Sequence, residues 1–292
     1  MNVDIAKIEP ARASPRRGVS IRRWPWGRWG LRTAAVGYLG LMILLPISAI
    51  LASGFGDGLA AFWGDLTNGI AFSALRLTLI TAVMTTVINS VMGTLTAYVL
   101  VRYDFPGRGM LNAMIDMPFA IPTLVTGVML VVLYGPQRTL GAWLESNGVQ
   151  VIFATPGIVL ALLLVTYPFV VRTVQPVLME LDKAQEEASY TIGASKWTTF
   201  HRIILPAIAP AVVTGSLLSF ARALGEFGSI IVVAGNIPGR TLTAPVYVFG
   251  QLESYNQRGA SAMSILLLAL SFTLIVIVDW MQKRWDIEYA IP

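Results

Sequence analysis

Six apolar runs, each long enough to cross a bilayer and nearly free of charge, leave this chain few ways to fold. A hydrocarbon core of ~30 Å is spanned by ~20 helical residues, and the runs over 33–53, 73–101, 113–134, 155–174, 207–235 and 259–281 meet that length. Hydrophobic residues make up 55% of the 292 and charged ones 13%, well under the roughly 25% charged of soluble domains. The expectation is an all-α integral membrane protein: a six-helix transmembrane bundle over 33–281, with tails over 1–32 and 282–292.

The basic residues fix an expected orientation. Eight Lys and Arg lie in residues 1–32, two at Arg102 and Arg108, one at Arg172, three within 181–206 and two at Lys283 and Arg284, sixteen in all on one side. Four, Arg76, Arg138, Arg240 and Arg258, fall on the other, and Arg222 lies within a span. By the positive-inside rule both termini are expected in the cytoplasm, and the loop with Asp57 and Asp65 outside. Trp24, Trp26 and Trp29, interleaved with arginines, suit an uncleaved segment at the headgroup level. The net charge of +5 therefore reflects membrane contact and not nucleic-acid binding. Cysteines are absent, which excludes disulfides and thiol chemistry. His201 is the one histidine, so no Ser-His-Asp site is expected and the chain does not read as an enzyme.

The polar interval 181–206, LDKAQEEASYTIGASKWTTFHRIILP, stands between two apolar runs. Asp182 is placed to cap a helix, with Gln185 three residues on to return the bond, and Gly193 suits the left-handed position after it. Ser195 is placed to cap a second helix, with Pro206 and Pro210 marking where it gives way to the next span. Two short helices joined by a tight turn are expected, a rigid elbow.

Within the elbow, Glu187, Ala188, Ser189, Gly193, Ile203, Leu205 and Pro206 match the spacing of the "EAA" loop of ABC importer permeases; Ser189 replaces an alanine. The resemblance implies that 181–206 is a coupling helix docking on a separate ABC ATPase subunit, which would bind the ATP and Mg. No cofactor is implied for this chain, and no G-x-x-x-x-G-K-[ST] run occurs in it.

The second marked stretch is SFARALGEFG, 219–228. An arginine well inside a span costs roughly 2.5–3.5 kcal/mol on insertion scales, so Arg222 should face protein or a watery path, and Glu226 at i+4 is placed to pair with it. Two readings stand: a purely architectural ion pair, or a translocation path in which Arg222 supplies positive potential and Glu226 orients it. Gly225 and Gly228 read as packing residues, with a subunit seam as one location. Arg76 and Arg172 near span ends, and Asp116 and Asp279 at inner boundaries, read as solvated charges.

RALGEFG resembles permeases for tetrahedral oxyanions, and PFVVRTVQPVL at 168–178 resembles the sulfate and thiosulfate permeases, of the "T" type that pairs with a "W" type. The resemblance implies a permease subunit of an ATP-driven, binding-protein-dependent sulfate/thiosulfate importer in the bacterial inner membrane, with a periplasmic or lipid-anchored sulfate-binding protein and a second permease as partners. A molybdate or tungstate importer is the alternative within the family. A secondary anion transporter is the alternative outside it and would show internal repeats and paired broken helices.

Overall fold

The computed structural model describes residues 25–289, with side chains from 29 to 283. The basic residues expected to face the cytoplasm at 1–24 lie outside the described residues, and the side chains of Arg28 and Arg284 outside the described side chains. Among the described residues every regular element is helical. The chain divides into two compact units, 1–48 and 49–292. Helix α1, Pro25–Phe55, starts in the first unit and tolerates Pro46 inside it; Arg32 stacks over the ring of Trp29.

The second unit is built on three long helices. α2, Leu59–Thr67, precedes α3, Gly69–Arg102. The side-chain oxygen of Asn68 caps α3 by accepting from Ala71 N–H at 2.8 Å, satisfying one of its open amides. α4, Arg108–Ala120, and α5, Thr123–Tyr134, are followed by the short α6, Thr139–Ser146, and by α7, Thr155–Glu180. Pro156 lies in the first turn of α7, where its missing N–H is harmless. The elbow holds α8, Lys183–Thr191, and α9, Lys196–Thr199, and leads through a π turn, Phe200–Ile204, into α10, Leu205–Leu224. α11, Gly228–Val233, α12, Ala244–Glu253, and α13, Gln257–Tyr289, complete the chain.

α3, α7 and α10 approach closely because small residues line their contacts. Buried Val170 of α7 sits between Gly93 of α3 and Gly215 of α10, where an added Cβ would stand 2.9 Å from the Val170 Cβ and 3.0 Å from its Cα. Close approach through glycine is how helices associate in lipid, where apolar burial alone gives little gain. Hydroxyls add cross-links: Ser90 with Ser216, Thr96 with Tyr167, and Asn89 with Thr166.

Over 113–134, Pro118 and Pro122 lead one to expect a kinked span, and the structure breaks it into two helices. These are α4 and α5, bent by 113°. Proline disfavours the helical conformation in the residue before it, and Ile121, before Pro122, is extended; Pro118 is carried inside α4. Among the described residues, five helices are long and apolar enough to cross a membrane alone. α3 and α7 end on the same face, since Arg102 at the end of α3 reaches Glu186 and the Leu181 carbonyl just past α7. The chain must return between them, so the bent pair makes the sixth crossing.

Two further boundaries differ from expectation. The span expected to run to 235 stops at Leu224, and Gly225, Glu226 and Phe227 break it before α11. The second elbow helix is not short, because residues 196–224 form one continuous rod. Pro206 has no N–H to give the Arg202 carbonyl; the ladder absorbs this by widening, with Leu205 N–H donating to the Phe200 carbonyl five residues back.

On the opposite face, Arg258 at the start of α13 pairs with Asp57 and with Asp65, each at 2.7 Å. The acidic loop and Arg258 share one side, as the charge count requires.

Candidate functional site

The elbow is held on a buried floor and presents a defined outer face. The Asp182 carboxylate accepts from Ala184 N–H at 2.9 Å, while Gln185 contributes its backbone N–H to the Asp182 carbonyl; no bond returns from the Gln185 side chain among the described residues. Gly193 has φ of +84°, the left-handed value that glycine adopts without strain. Ala194 N–H then donates to the Ser189 carbonyl, closing the end of α8. The Ser195 hydroxyl accepts from Thr198 N–H at 3.1 Å, so both expected caps form.

The seven motif residues divide by face. Glu187, Ala188 and Gly193 are exposed, and Ser189 is buried. The Ser189 hydroxyl donates to the Glu186 carbonyl at 2.7 Å and shares a hydrogen bond with Thr199 Oγ of α9 at 2.8 Å. A serine at this place ties α8 to α9, which an alanine would not do. Ile203 and Leu205 are half-buried and Pro206 is exposed. Ile204, between two motif positions, is fully enclosed in the cluster of Leu100, Val174, Leu178 and Ile208 that supports the elbow. Ile192 and Trp197 of the same elbow, 85% and 71% exposed, are large apolar side chains open to a partner. Trp197 stacks on His201 with ring planes 7° apart.

Sequence reasoning missed Glu186. It points inward and meets Arg102 with Oε1 to Nη2 at 2.6 Å, both side chains nearly enclosed. The signal was helical spacing: Glu186 and Ser189 are three apart and share a face, opposite Glu187 and Ala188.

Arg222 and Glu226 form the expected pair, Nη2 to Oε2 at 2.7 Å. Arg222 is not mid-helix but in the last turn of α10, where the helix dipole favours a cation. Glu226, 1% exposed, is also the cap of α11: its Oε1 accepts from Ser229 N–H at 2.9 Å and Ser229 Oγ at 2.8 Å. One carboxylate thus joins two helix ends of opposite dipole across the break. Arg222 keeps 32% of its side chain exposed while its partner is enclosed.

Gly228 packs against Thr123 at the start of α5, and at Gly127 a Cβ would stand 2.6 Å from the Ser229 carbonyl oxygen. These glycines join α5 to α11 inside this chain. Gly228 is thus a packing residue within this chain, and Gly225 has open space around it.

Arg172 and Asp116 do not stand as separately solvated charges, the expected arrangement, but join one polar cluster. Arg172 Nε and Nη2 donate to the two Asp116 oxygens at 2.7 and 2.6 Å. Nη1 donates to Asn112 Oδ1 and Gln175 Oε1, and Nη2 also to the Asn112 carbonyl. All five guanidinium N–H groups are used, fixing α4 to α7. Among the described residues no three His, Cys, Asp or Glu gather as a metal site needs.

A six-crossing helical bundle with a rigid elbow between its fourth and fifth spans defines a multi-pass transport permease. The family described as "Binding-protein-dependent transport system inner membrane component" matches residues 89–287, and the chain belongs to it. The probable sulfate transport system permease protein cysT of Chlorokybus atmophyticus is 42% identical over 262 residues, 90% of this chain and 90% of that protein. The sulfate transport system permease protein CysT of Escherichia coli (strain K12) is 40% identical, covering 84% of this chain and 88% of that one. Among solved structures, a bacterial alginate ABC transporter in complex with a pentasaccharide-bound periplasmic protein superposes with a TM-score of 0.74 at 16% identity, over 89% of this chain and 95% of that chain. An amino acid ABC transporter gives 0.52 at 18% identity, over 73% and 92%. The fold is that of ABC importer permeases.

Proposed function

We propose that this chain is the translocating permease of an ATP-driven sulfate importer, fed by a binding protein outside and driven by separate ATPase subunits inside. The single observation that carries the substrate is the identity of about 40% or more, across most of both chains, to permeases named for sulfate. Supporting the motor's place is the outer face of the elbow, where Glu187, Ala188, Ile192 and Trp197 lie exposed on a capped scaffold. A short rigid helix with exposed apolar anchors is suited to a groove on a partner.

The second permease is a different, W-type chain, so the path forms between two unlike subunits. The elbow and both termini face the cytoplasm. Arg222 offers its exposed part to the passing anion while Glu226 holds it against the break. Specificity among sulfate, thiosulfate and molybdate is set mainly by the binding protein.

The test is gentle extraction of the tagged chain from its native host. Co-purification of an ATPase with a phosphate-binding loop and of a second, different permease is the expected result. A stable complex without any ATPase would overturn the importer reading, and an ATPase with this permease alone would overturn the heterodimer.

A further inference from the structure

Adjacent acidic residues of α8 face opposite ways: Glu187 outward, Glu186 inward onto Arg102. We propose that Arg102 and Glu186 form a latch through which the coupling elbow moves α3, and that its integrity sets how much anion crosses per ATP hydrolysed. This inference rests on the docking reading of the elbow given above.

Three observations carry it. The first is how the elbow is attached. It joins α10 through one continuous helical rod and α7 through the short link at Leu181 and Asp182. To α3 it has no covalent link; it is joined by Arg102 to Glu186 and to the Leu181 carbonyl, with the Tyr98 ring edge-on to Phe200. Leu100 of α3 also packs in one cluster with Ile204, and the charge pair is the polar contact by which a displacement of the exposed side of α8 reaches α3.

The second is where α3 leads. Arg102 is the last residue of a 34-residue helix. Near its other end Thr78 Oγ accepts from Ala244 N–H of α12 at 2.8 Å, and Asn68 donates to the Tyr247 hydroxyl at 3.4 Å. One stiff element thus runs from the elbow to the helix on the opposite face, the arrangement by which packed elements transmit a discrete change.

The third is incomplete satisfaction. Arg172 uses every donor and acts as a fixed clamp. Arg102 Nε, enclosed, has no acceptor among the described residues. A buried charge pair that leaves a donor unmatched is held less firmly than a saturated one, which suits a contact that is made and broken during a cycle. Arg102 and Glu186 are positioning residues; neither needs to touch the anion or the nucleotide.

The test uses the whole complex, purified with its motor subunits and reconstituted in liposomes. Wild type is compared with Arg102→Met, Glu186→Gln, Arg102→Lys and the charge exchange Arg102→Glu with Glu186→Arg. Labelled sulfate taken up per ATP hydrolysed is measured, together with the motor content of each preparation. The expected result is unchanged motor content, a ratio at least about fivefold lower in Arg102→Met and Glu186→Gln, and a ratio nearer wild type in Arg102→Lys and in the exchange. A wild-type ratio in both neutral variants overturns the latch and leaves the importer reading intact. So does loss of motor binding that the exchange fails to restore, which would make the pair part of the docking scaffold alone. Absence of ATP-dependent uptake in wild type removes the importer reading, and the latch with it.

Discussion

Glu226 does two things at once, and substitutions separate them. Glu226→Gln keeps an oxygen for Ser229 but loses the charge facing Arg222; Glu226→Ala loses both. Leaving enclosed donors without acceptors costs about 1–3 kcal/mol, so Glu226→Ala should lower apparent thermal stability in detergent clearly more than Glu226→Gln. Equal losses would assign no value to the cap. Arg222→Gln should leave the assembled complex intact yet lower sulfate uptake about tenfold, equivalent to about 1.4 kcal/mol; normal uptake by a well-expressed variant would make the pair architectural. The pairing of Arg222 with Glu226 was legible because i+4 spacing within an apolar run admits few partners. The cap on Ser229 was not, because it depends on the helix stopping at Leu224, and Gly225 inside an apolar run reads equally well as a packing glycine. The Arg172–Asp116 contact was also hidden: its partners are 56 residues apart, and the bend that brings them together is a tertiary fact.

Among the elements, the broken helices carry most of what was unexpected. α5 and α11 each follow a break, and they lean on each other through Gly127 and Gly228. Gly127→Val should force them apart, at the cost of about 1–3 kcal/mol that overpacking brings, and should disturb the break that holds Arg222. Thermal unfolding and uptake should fall together; unchanged stability would contradict the close contact. Pro122 signalled a kink in the sequence, but its size reflects the packing of α5 onto α11. The elbow was the most legible element, since caps and a left-handed glycine are local chemistry. Its continuation into α10 was less so, because Pro206 reads as a boundary until the π turn that accommodates it is seen.

For the whole molecule, alternation of charge and apolar length set the number of crossings, and contacts among helix ends confirm it: α3 and α7 finish together, and the bent pair must return the chain. The absence of native cysteine makes sidedness directly measurable. A cysteine at Trp197, on the elbow, should react with an impermeant reagent only in inverted vesicles stripped of the ATPase subunits. One at Tyr255, 96% exposed between α12 and α13, should react only in intact cells stripped of their outer barrier. Reaction of both from one side would contradict the crossing of α10. The central claim, that this chain carries sulfate across the membrane under the power of a separate ATPase, is tested most directly by labelled uptake into liposomes holding the purified complex. With binding protein and sulfate outside and ATP within, accumulation above the outside concentration is predicted, abolished by withholding ATP or the binding protein. Uptake that proceeds equally without ATP would contradict the account.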